Sequence, residues 1–329
     1  MAFPTTCPSV AFGPEFGRRV LVFVDTEEEF DWTQPKRRDC TSVEAMRALP
    51  RAHQMLRSFG QKPVYLVDYP IATNAMSVEI LRGFLDGDEC SIGAQLHAWV
   101  NPPFTEAMEP VNSFPGNLPR ALEYEKLARL TQAINANFQK APIVYRAGRY
   151  GLGSNSAAIM YELGYRVDVS VRSYYDYRDE GGPDFRFAPV APFWWEAEKH
   201  LLEVPLTATY LGLLRKMGGT IFHRTAGFLK LRSLLARSHL LNRVGLTPEG
   251  IPLSEALAAI DVLMGEECRL FSISFHSPSV EPGHTPYVRD AADLKIFYRW
   301  WDGVLNHLDR YGVKPVSIEE VLAAAERAR

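Results

Sequence analysis

Short apolar runs of strand length alternate along the chain with longer segments in which apolar residues recur at helical spacing. The runs are rich in β-branched and aromatic residues, and they cover residues 19–24, 63–67, 91–94, 142–145, 165–169, 202–205 and 270–275. Helical patterns lie between them at residues 122–138, 156–163, 254–264 and 293–311. Strands that alternate with helices are typical of a parallel sheet or barrel. The pattern therefore predicts an α/β fold.

The length of the chain and the absence of linkers predict a single domain. The sequence has 329 residues, which is long for most domains but usual for one α/β barrel. No internal repeat, low-complexity tract or linker rich in proline, glycine and serine divides it. We therefore expect one domain over residues 1–329, with a core large enough to fold without disulfides or a structural metal.

Composition and charge exclude several classes of protein. Hydrophobic residues make up 47% of the chain and charged residues 23%, which indicates a globular protein. The formal net charge is -3 and the isoelectric point is about 6.3, so we expect no nucleic-acid partner. The four cysteines, Cys7, Cys40, Cys90 and Cys268, show no CxxC spacing, which argues against a zinc knuckle or a disulfide framework.

The sequence shows neither a secretory signal nor a membrane span. Its first residues lack a basic segment followed by an apolar run. No apolar stretch approaches the roughly 20 residues that are needed to cross a bilayer. We therefore expect a cytoplasmic protein.

Polar side chains follow five of the predicted strands, at the point where each strand ends. They are Asp25, Asp68, His97, Arg146 and His276. In parallel α/β folds the loops after the strands converge on one mouth, where functional sites are built. A single polar residue at such a point is usually a turn former or a helix cap. Five residues capable of chemistry, on five strands, predict a site.

The first strand runs into an acidic segment at residues 25–32, with the sequence DTEEEFDW. Acidic groups this close together cannot all ionise cheaply unless they are solvated or neutralised by a cation. One interpretation is the solvated acidic start of a helix. The other places Asp25 and Glu27 in one site, one of them as a base and the other as a hard oxygen ligand.

Histidines end two of the apolar strands. His97 is followed by a proline-rich loop; alone it is expected to be a hydrogen-bonded core residue, but beside the acidic segment a metal ligand is a competing interpretation. His276 enters a loop rich in proline and glycine, where an imidazole is suited to protonating a leaving amine. The sequence contains neither a GxSxG motif nor a Cys–His pattern, so a serine or cysteine hydrolase is not expected.

Two arginines and several glycines follow the fourth strand, in the sequence YRAGRYGLG at residues 145–153. Glycine lets a backbone approach a ligand closely, and arginine recognises carboxylates through two parallel hydrogen bonds. Arg146 is therefore a candidate for holding Asp25 in its ionised form. The other interpretation is a glycine-rich turn with surface arginines. The spacing matches neither a Walker A nor a Rossmann loop, so nucleotide binding is not expected.

Taken in chain order, the acidic segment, the loops after His97 and His276 and the arginine-rich turn resemble the corresponding motifs of the polysaccharide deacetylases with NodB homology, the carbohydrate esterase 4-like family. They are most similar to the WalW-like branch, which is associated with bacterial surface polysaccharides such as lipopolysaccharide or exopolysaccharide. The resemblance rests on DTEEEFDW at 25–32, HAWVNPP at 97–103, YRAGRYG at 145–151 and SFHSP at 274–278, which span nearly the whole chain. It implies a distorted (β/α) barrel of about seven parallel strands. It also implies a divalent metal, zinc or similar, held by a carboxylate and two histidines.

The same resemblance implies catalytic roles. It makes Asp25 the base, His276 the acid and Arg146 the arginine that tunes the base. It assigns the metal to Asp25, Glu27 and His97, with Glu27 as the carboxylate because position 26, next to the base, is a threonine.

The family's two metal histidines fall on Gln95 and Trp99 in this chain. Glutamine is a poor ligand for zinc-like ions, and tryptophan is none. The site is therefore expected either to be rebuilt around His97 or to have lost its metal. The positions assigned to substrate binding are Asp31, Asp68, Gln95, Trp99, Arg149, Tyr150 and Asp168.

A basic segment interrupts the second half of the chain at residues 210–245. No acidic residue occurs between Glu203 and Glu249, and leucines are interleaved with Arg215, Lys216, Arg224, Lys230, Arg232, Arg237 and Arg243. One interpretation is a barrel helix with a solvated basic edge. The other is a basic helical insert that contacts a membrane surface or an anionic glycan, which would place the protein at the inner membrane surface beside a lipid-linked sugar.

Three functions stay open at this point. The first is a metal-dependent deacetylase that hydrolyses an N- or O-acetyl group of a polysaccharide or sugar precursor. The second, favoured by Gln95 and Trp99, is a catalytically silent carbohydrate-binding protein of the same fold. The third is a metal-free glycoside hydrolase that pairs Asp25 with a second carboxyl group, from Asp68 or Asp168.

Overall fold

The computed structural model describes residues 9–195, 200–225 and 229–328, so Cys7 lies outside the described residues. The strands are β1 (Arg19–Thr26), β2 (Val64–Val67), β3 (Ser91–Leu96), β4 (Val144–Ala147), β5 (Val167–Asp168), β6 (Phe193–Trp194), β7 (Leu202–Glu203), β8 (Ala208–Leu211), β9 (Asn242–Gly245), β10 (Leu270–His276) and β11 (Lys314–Pro315). The helices are α1 (Leu49–Ser58), α2 (Tyr69–Thr73), α3 (Ala75–Asp86), α4 (Arg120–Phe138), α5 (Ser156–Glu162), α6 (Gly218–Arg224), α7 (Leu229–Arg237), α8 (Leu253–Gly265), α9 (Ala291–Arg310) and α10 (Ile318–Arg327).

The main sheet is parallel and curls into a half-barrel. Its order is β10-β1-β2-β3-β4-β5-β7, with β6 added antiparallel at one edge and β11 beside β1. The seven parallel strands of this path correspond to the seven apolar runs of the sequence, and the four predicted helices appear as α4, α5, α8 and α9. The predicted distorted (β/α) barrel is confirmed.

A hairpin closes part of the open side of the half-barrel. Strands β8 and β9 pair antiparallel, and the backbone just before β8 hydrogen-bonds to β10. The amide of Thr207 donates to the carbonyl of Ser272 at 3.3 Å and to its Oγ at 2.9 Å. On the other side, the amide of Leu206 donates to the carbonyl of Val171, just after β5, at 2.9 Å. The segment that leads into the hairpin therefore bridges β10 and the backbone that follows β5.

Strand register brings the polar strand ends together. Asp25 of β1 pairs directly with His276 of β10, and Gln95 of β3 pairs with Arg146 of β4. Successive residues of a strand point to opposite faces of the sheet. On β1, Leu21 and Phe23 pack with helix α10 in one buried cluster, whereas Val20, Val22 and Val24 pack in the cluster beneath the outer helices. Asp25 therefore continues the inner face.

The predicted basic segment is a hairpin with two short helices between its strands. Arg215 pairs with Glu266, and the guanidinium of Arg243 packs 3.4 Å from the ring centroid of Tyr175. Two of the seven basic side chains thus bind within the protein. The side chains of Lys230 and Arg232 lie outside the described residues. In the described ranges, no helix combines the length and the apolar character that crossing a membrane requires.

A buried lysine holds the loop that follows β3. The Lys126 ammonium on α4 donates to the carbonyls of Ala98, Asn101 and Pro103 at 2.9, 2.6 and 2.7 Å, and pairs with Glu106 at 3.1 Å. Because this loop carries Trp99 beside the strand-end side chains, Lys126 supports the mouth of the barrel.

We expect Lys126→Met to lower the free energy of unfolding by about 2 kcal/mol or more, since it leaves buried carbonyls and Glu106 without their donor. The measurement is urea denaturation followed by circular dichroism. Arg129→Met on the same helix is the control, because Arg129 is exposed and bonds only to Glu125 in the described structure. Equal stability of both variants would contradict the anchoring role.

Candidate active site

A cleft of about 570 Å³ opens at the carboxyl ends of the parallel strands. Its floor is formed by the polar strand ends, and its walls come from the loops that follow them. The floor residues are Asp25, Glu27, Gln95, His97, Arg146 and His276. The structure therefore brings together all five predicted catalytic and metal-binding candidates, with Gln95 beside them.

Asp25 forms a buried ion pair with Arg146. The Nη1 group of Arg146 bonds to Oδ1 of Asp25, and its Nε donates to the carbonyl of Val169 at 3.1 Å. Both side chains are almost fully buried. The other carboxylate oxygen, Oδ2, lies 3.6 Å from Nε2 of His276. The arginine compensates the charge of Asp25 from below, and one oxygen still faces the cleft.

His276 is held and charged by a second acid. Its Nδ1 lies 2.6 Å from Oε2 of Glu249, whose Oε1 accepts from the backbone amide of His276 at 3.0 Å. Burial alone would lower the pKa of His276, but the carboxylates of Glu249 and Glu27 outweigh it and raise the pKa to about 10. Burial would raise the pKa of Glu249, and the facing imidazolium lowers it instead. His276 is therefore a cation at neutral pH, with Nε2 directed at Asp25.

Gln95 lies between the two acids of the floor. Its Nε2 is 3.5 Å from Oδ2 of Asp25 and 3.4 Å from Oε2 of Glu27. The Nε2 atom of His97 is also 3.4 Å from Oε2 of Glu27, while Oε1 of Glu27 has no hydrogen-bond partner among the described residues. Burial raises the pKa of Glu27 to about 8. Glu27 is therefore mostly a neutral acid near pH 7, with one oxygen available.

A separate polar network lies beneath the floor. Glu28 accepts hydrogen bonds from Nε1 of Trp99 at 2.6 Å and from His97 Nδ1 at 2.7 Å. Asp68 accepts from the amide of Glu28 at 2.8 Å and from the amide of Ile71 at 2.8 Å. Burial raises the pKa of Glu28 and, more strongly, that of Asp68, which is consistent with a shared proton between the two carboxyl groups.

This network contains the one group of metal-ligand types that converges in the described part of the chain. Ligand atoms of Glu28, Asp68 and His97 lie within 4.8 Å of one another. The predicted set, Asp25, Glu27 and His97, does not converge in that way among the same residues. A set of two carboxylates and one imidazole is suited to a divalent cation by its chemistry.

The contacts of the converging group do not suit a metal. Both carboxylate oxygens of Glu28 already accept short hydrogen bonds, and both oxygens of Asp68 accept from backbone amides. The imidazole of His97 directs Nδ1 to Glu28 and Nε2 to Glu27. Neither Glu28 nor Asp68 lines the cleft. The residues therefore form a hydrogen-bonded network rather than an open coordination site.

The seven residues predicted to bind substrate divide into two groups. Gln95, Trp99, Arg149 and Tyr150 line the cleft, whereas Asp31, Asp68 and Asp168 do not. Asp31 is exposed and accepts from Thr33. Asp68 caps α2, and Asp168 is buried, where it accepts from Ser170.

The buried position of Asp168 gives it another partner. Burial raises its pKa to about 6, and it shares a hydrogen bond with Glu203 below the floor. The pKa of Glu203 is raised still further, by burial and by the charge of Asp168. One proton held between the two carboxyl groups explains both shifts.

Sequence reasoning missed several residues of the cleft. Glu249 follows the short strand β9, which gives no strong apolar signal, so its pairing with His276 could not be read from spacing. Lys36 lines the cleft with its ammonium 3.5 Å from the ring centroid of Phe30. Trp32 packs edge-on against His276, with ring centroids 4.9 Å apart. The sequence signal for these aromatic walls was the presence of Phe30 and Trp32 within segment 25–32.

Comparisons with known proteins give matches among solved structures. No protein-family model matches the chain, and no curated protein matches it. The solved structures include a probable polysaccharide deacetylase from Pseudomonas aeruginosa PAO1, at 15% identity and a TM-score of 0.54, covering 97% of this chain and 95% of that one. The chain has the polysaccharide deacetylase fold.

Other proteins share this fold. PuuE allantoinase matches at 14% identity with a TM-score of 0.56, over 97% of this chain and 94% of its own. A 4-alpha-glucanotransferase from Thermococcus litoralis matches at 10% identity with a TM-score of 0.55, over 93% of this chain and 40% of its own. The deacetylase fold therefore hosts several activities, and the WalW-like branch stays a prediction.

We expect Glu249→Gln to lower the pKa of His276 from about 10 toward its ordinary value, because the facing negative charge is removed. Histidine side-chain NMR over a pH titration measures this directly. Since the folded pKa lies above the unfolded value, the stabilisation from the pair is complete below about pH 6.5 and is lost as the pH rises through about 10. Glu281→Gln, an exposed neighbour, serves as control; an unchanged His276 titration in Glu249→Gln would contradict the assignment.

We expect the purified protein to contain no stoichiometric divalent metal, because the candidate ligands are already hydrogen-bonded to one another. Elemental analysis, with zinc titration of the dialysed protein by calorimetry, tests this. A near-stoichiometric ion that disappears in both His97→Ala and Glu27→Ala, but not in His307→Ala, would show that the site rearranges around a metal.

Proposed function

We propose that this protein is a carbohydrate deacetylase that hydrolyses an N- or O-acetyl group of a sugar bound in the cleft. The observation that carries the proposal is the row Arg146–Asp25–His276–Glu249 across the floor, in which a compensated carboxylate faces an imidazolium at 3.6 Å. Such a base and acid, each held by a partner of opposite charge, are what acyl transfer to water requires.

In the proposed reaction Asp25 is the base. A water molecule beside Oδ2 gives its proton to Asp25, and the water oxygen attacks the acetyl carbon. The ion pair with Arg146 fixes the carboxylate of Asp25, with Oδ2 left facing the cleft. Collapse of the tetrahedral intermediate breaks the carbon–nitrogen or carbon–oxygen bond, and the leaving atom takes a proton from His276 Nε2. Acetate and the free amine or hydroxyl are the products.

The negative charge on the acetyl oxygen needs a donor during the attack. Glu27 supplies one in its neutral form, since burial raises its pKa to about 8 and its Oε1 has no other partner in the described structure. A carboxylic acid kept neutral near pH 7 can donate to a developing oxyanion. No step of the proposed reaction involves a metal, because Glu28, Asp68 and His97 do not form an open coordination site.

The walls of the cleft are suited to a sugar. Trp32, Tyr150, Tyr177 and Tyr287 line it, and aromatic rings pack on the apolar faces of pyranose rings. The similarity to a probable polysaccharide deacetylase supports the same ligand class. Lipid linkage of the sugar and membrane contact through residues 210–245 gain no support, since Arg215 and Arg243 of that segment bind within the protein.

Two further functions were open from the sequence. A silent carbohydrate-binding protein is favoured by Gln95 and Trp99, which form hydrogen bonds to Glu27 and Glu28. A glycoside hydrolase needs two carboxyl groups across the substrate, and neither Asp68 nor Asp168 lines the cleft to act as the partner of Asp25. The first of these alternatives is an outcome of the experiment below.

We expect acetate release from N-acetylglucosamine oligomers or acetylated xylan, with kcat falling by about 10²- to 10⁴-fold in Asp25→Asn and in His276→Gln because each removes a proton-transfer group. An enzyme-coupled acetate assay measures this, with Asp302→Asn on the exposed face of α9 as control. Sugar binding without acetate release by the wild type would instead support the silent binding protein.

A further inference from the structure

Two arginines in the cleft region have no carboxylate partner. The guanidinium groups of Arg172 and Arg243 lie 3.8 and 3.4 Å from the ring centroid of Tyr175. In the described ranges neither arginine forms an ion pair. Their polar partners are neutral: Arg172 donates to the hydroxyl of Tyr177 at 3.2 Å, and Arg243 donates to the carbonyl of Tyr174 at 2.8 Å.

Two acids of the loop that carries Tyr175 already have arginine partners. Asp176 and Asp184 form ion pairs with Arg178 and Arg186. Two like charges on one half-buried aromatic ring repel each other, and they remain uncompensated by the protein. Burial alone would raise the pKa of Tyr175, yet the two guanidinium groups lower it, which is a further sign of positive potential at this point.

The pair lies close to the catalytic floor. Arg172 lines the cleft, with its Cζ 5.3 Å from the ring centroid of Tyr150. The Cζ of Arg146, the partner of Asp25, lies 5.9 Å from the same ring. Arg149 also lines the cleft, but it is taken by Glu180 and by Ser113. The ring of Tyr150 thus neighbours both Arg172 and the arginine that pairs with Asp25, which places the uncompensated charge in the same part of the cleft as the reacting groups.

We propose that Arg172, supported by Arg243 and the hydroxyl of Tyr177, forms an anion subsite, and that the sugar deacetylated here is acidic. The group it recognises is a carboxylate or phosphate on the acetylated sugar or its neighbour, bound by paired N–H donors of a guanidinium. This inference rests on the proposed function for the reaction, and names the class of substrate. An anion bound at this wall neutralises the charge of the two guanidinium groups without approaching the carboxylate of Asp25.

The test compares three probes that differ in charge: glucuronic acid, glucose 1-phosphate and glucose. Dissociation constants are measured by ligand-observed NMR at low ionic strength, for the wild type and for Arg172→Gln, Arg172→Lys and Arg243→Gln. Arg299→Gln on α9, an exposed arginine remote from the cleft, is the matched control. No turnover is needed, so the result is independent of acetate release.

We expect the wild type to bind at least one acidic probe about tenfold more tightly than glucose. Arg172→Gln should abolish the preference while keeping glucose affinity, Arg172→Lys should restore part of it, and Arg299→Gln should leave it unchanged. The tighter of the two acidic probes identifies the group as carboxylate or phosphate. Equal affinity for all three probes, no binding of either acid, or a preference that survives in both Arg172→Gln and Arg243→Gln would overturn the proposal.

The two proposals fail in different ways. Preferential binding of an acidic probe by a protein that releases no acetate from neutral or from acidic acetylated sugars would refute the deacetylase reaction and retain the anion subsite. Acetate release from neutral oligomers, with no preference among the three probes, would support the deacetylase reaction and refute the anion subsite.

Discussion

The buried ion pair between Asp25 and Arg146 is the interaction on which the cleft depends. A carboxylate removed from water is costly unless a partner of opposite charge and further hydrogen bonds compensate it. Arg146 provides that partner from the end of β4, across the half-barrel, and Gln95 and His276 lie within 3.6 Å of the other oxygen. Because removal of one member of such a pair leaves a buried charge, Arg146 is needed for the fold as well as for the chemistry.

The side-chain alternation of β1 continues beyond its last residue, Thr26, and this explains how the acidic segment is divided. Asp25 and Glu27 point into the cleft, whereas Glu28 faces the other way and bonds to His97 and Trp99. A period of two residues predicts this division once the strand is known. The apolar runs predicted the strands, and the strand ends predicted that Asp25, His97, Arg146 and His276 would meet. Which carboxylate faces which histidine depends on the loops, and it could not be predicted.

The partners that sequence reasoning missed are distant in the chain and leave no local pattern. Glu249 charges His276 from a loop after a four-residue strand, and the pair Arg172 and Arg243 forms only when the hairpin folds onto the half-barrel. Periodicity reports which face of an element is buried, whereas contacts of this kind depend on side-chain direction across loops. The same limit applies to Lys36, whose position is set by the ring of Phe30.

Gln95 and Trp99 have one physical effect in common. Each provides a neutral N–H donor at a position where the resembled family has a histidine, and each donates to a buried acid, Gln95 to Glu27 and Trp99 to Glu28. Hydrogen bonds to neutral donors and proton sharing between carboxyl groups then relieve the repulsion among the buried acids, which a divalent cation would otherwise neutralise. The charges of the floor are paired, whereas uncompensated positive charge remains at the wall, on Arg172 and on Arg243 across the same Tyr175 ring. A ligand with a neutral acetyl group at one end and an anion at the other satisfies both, and it can enter in only one orientation.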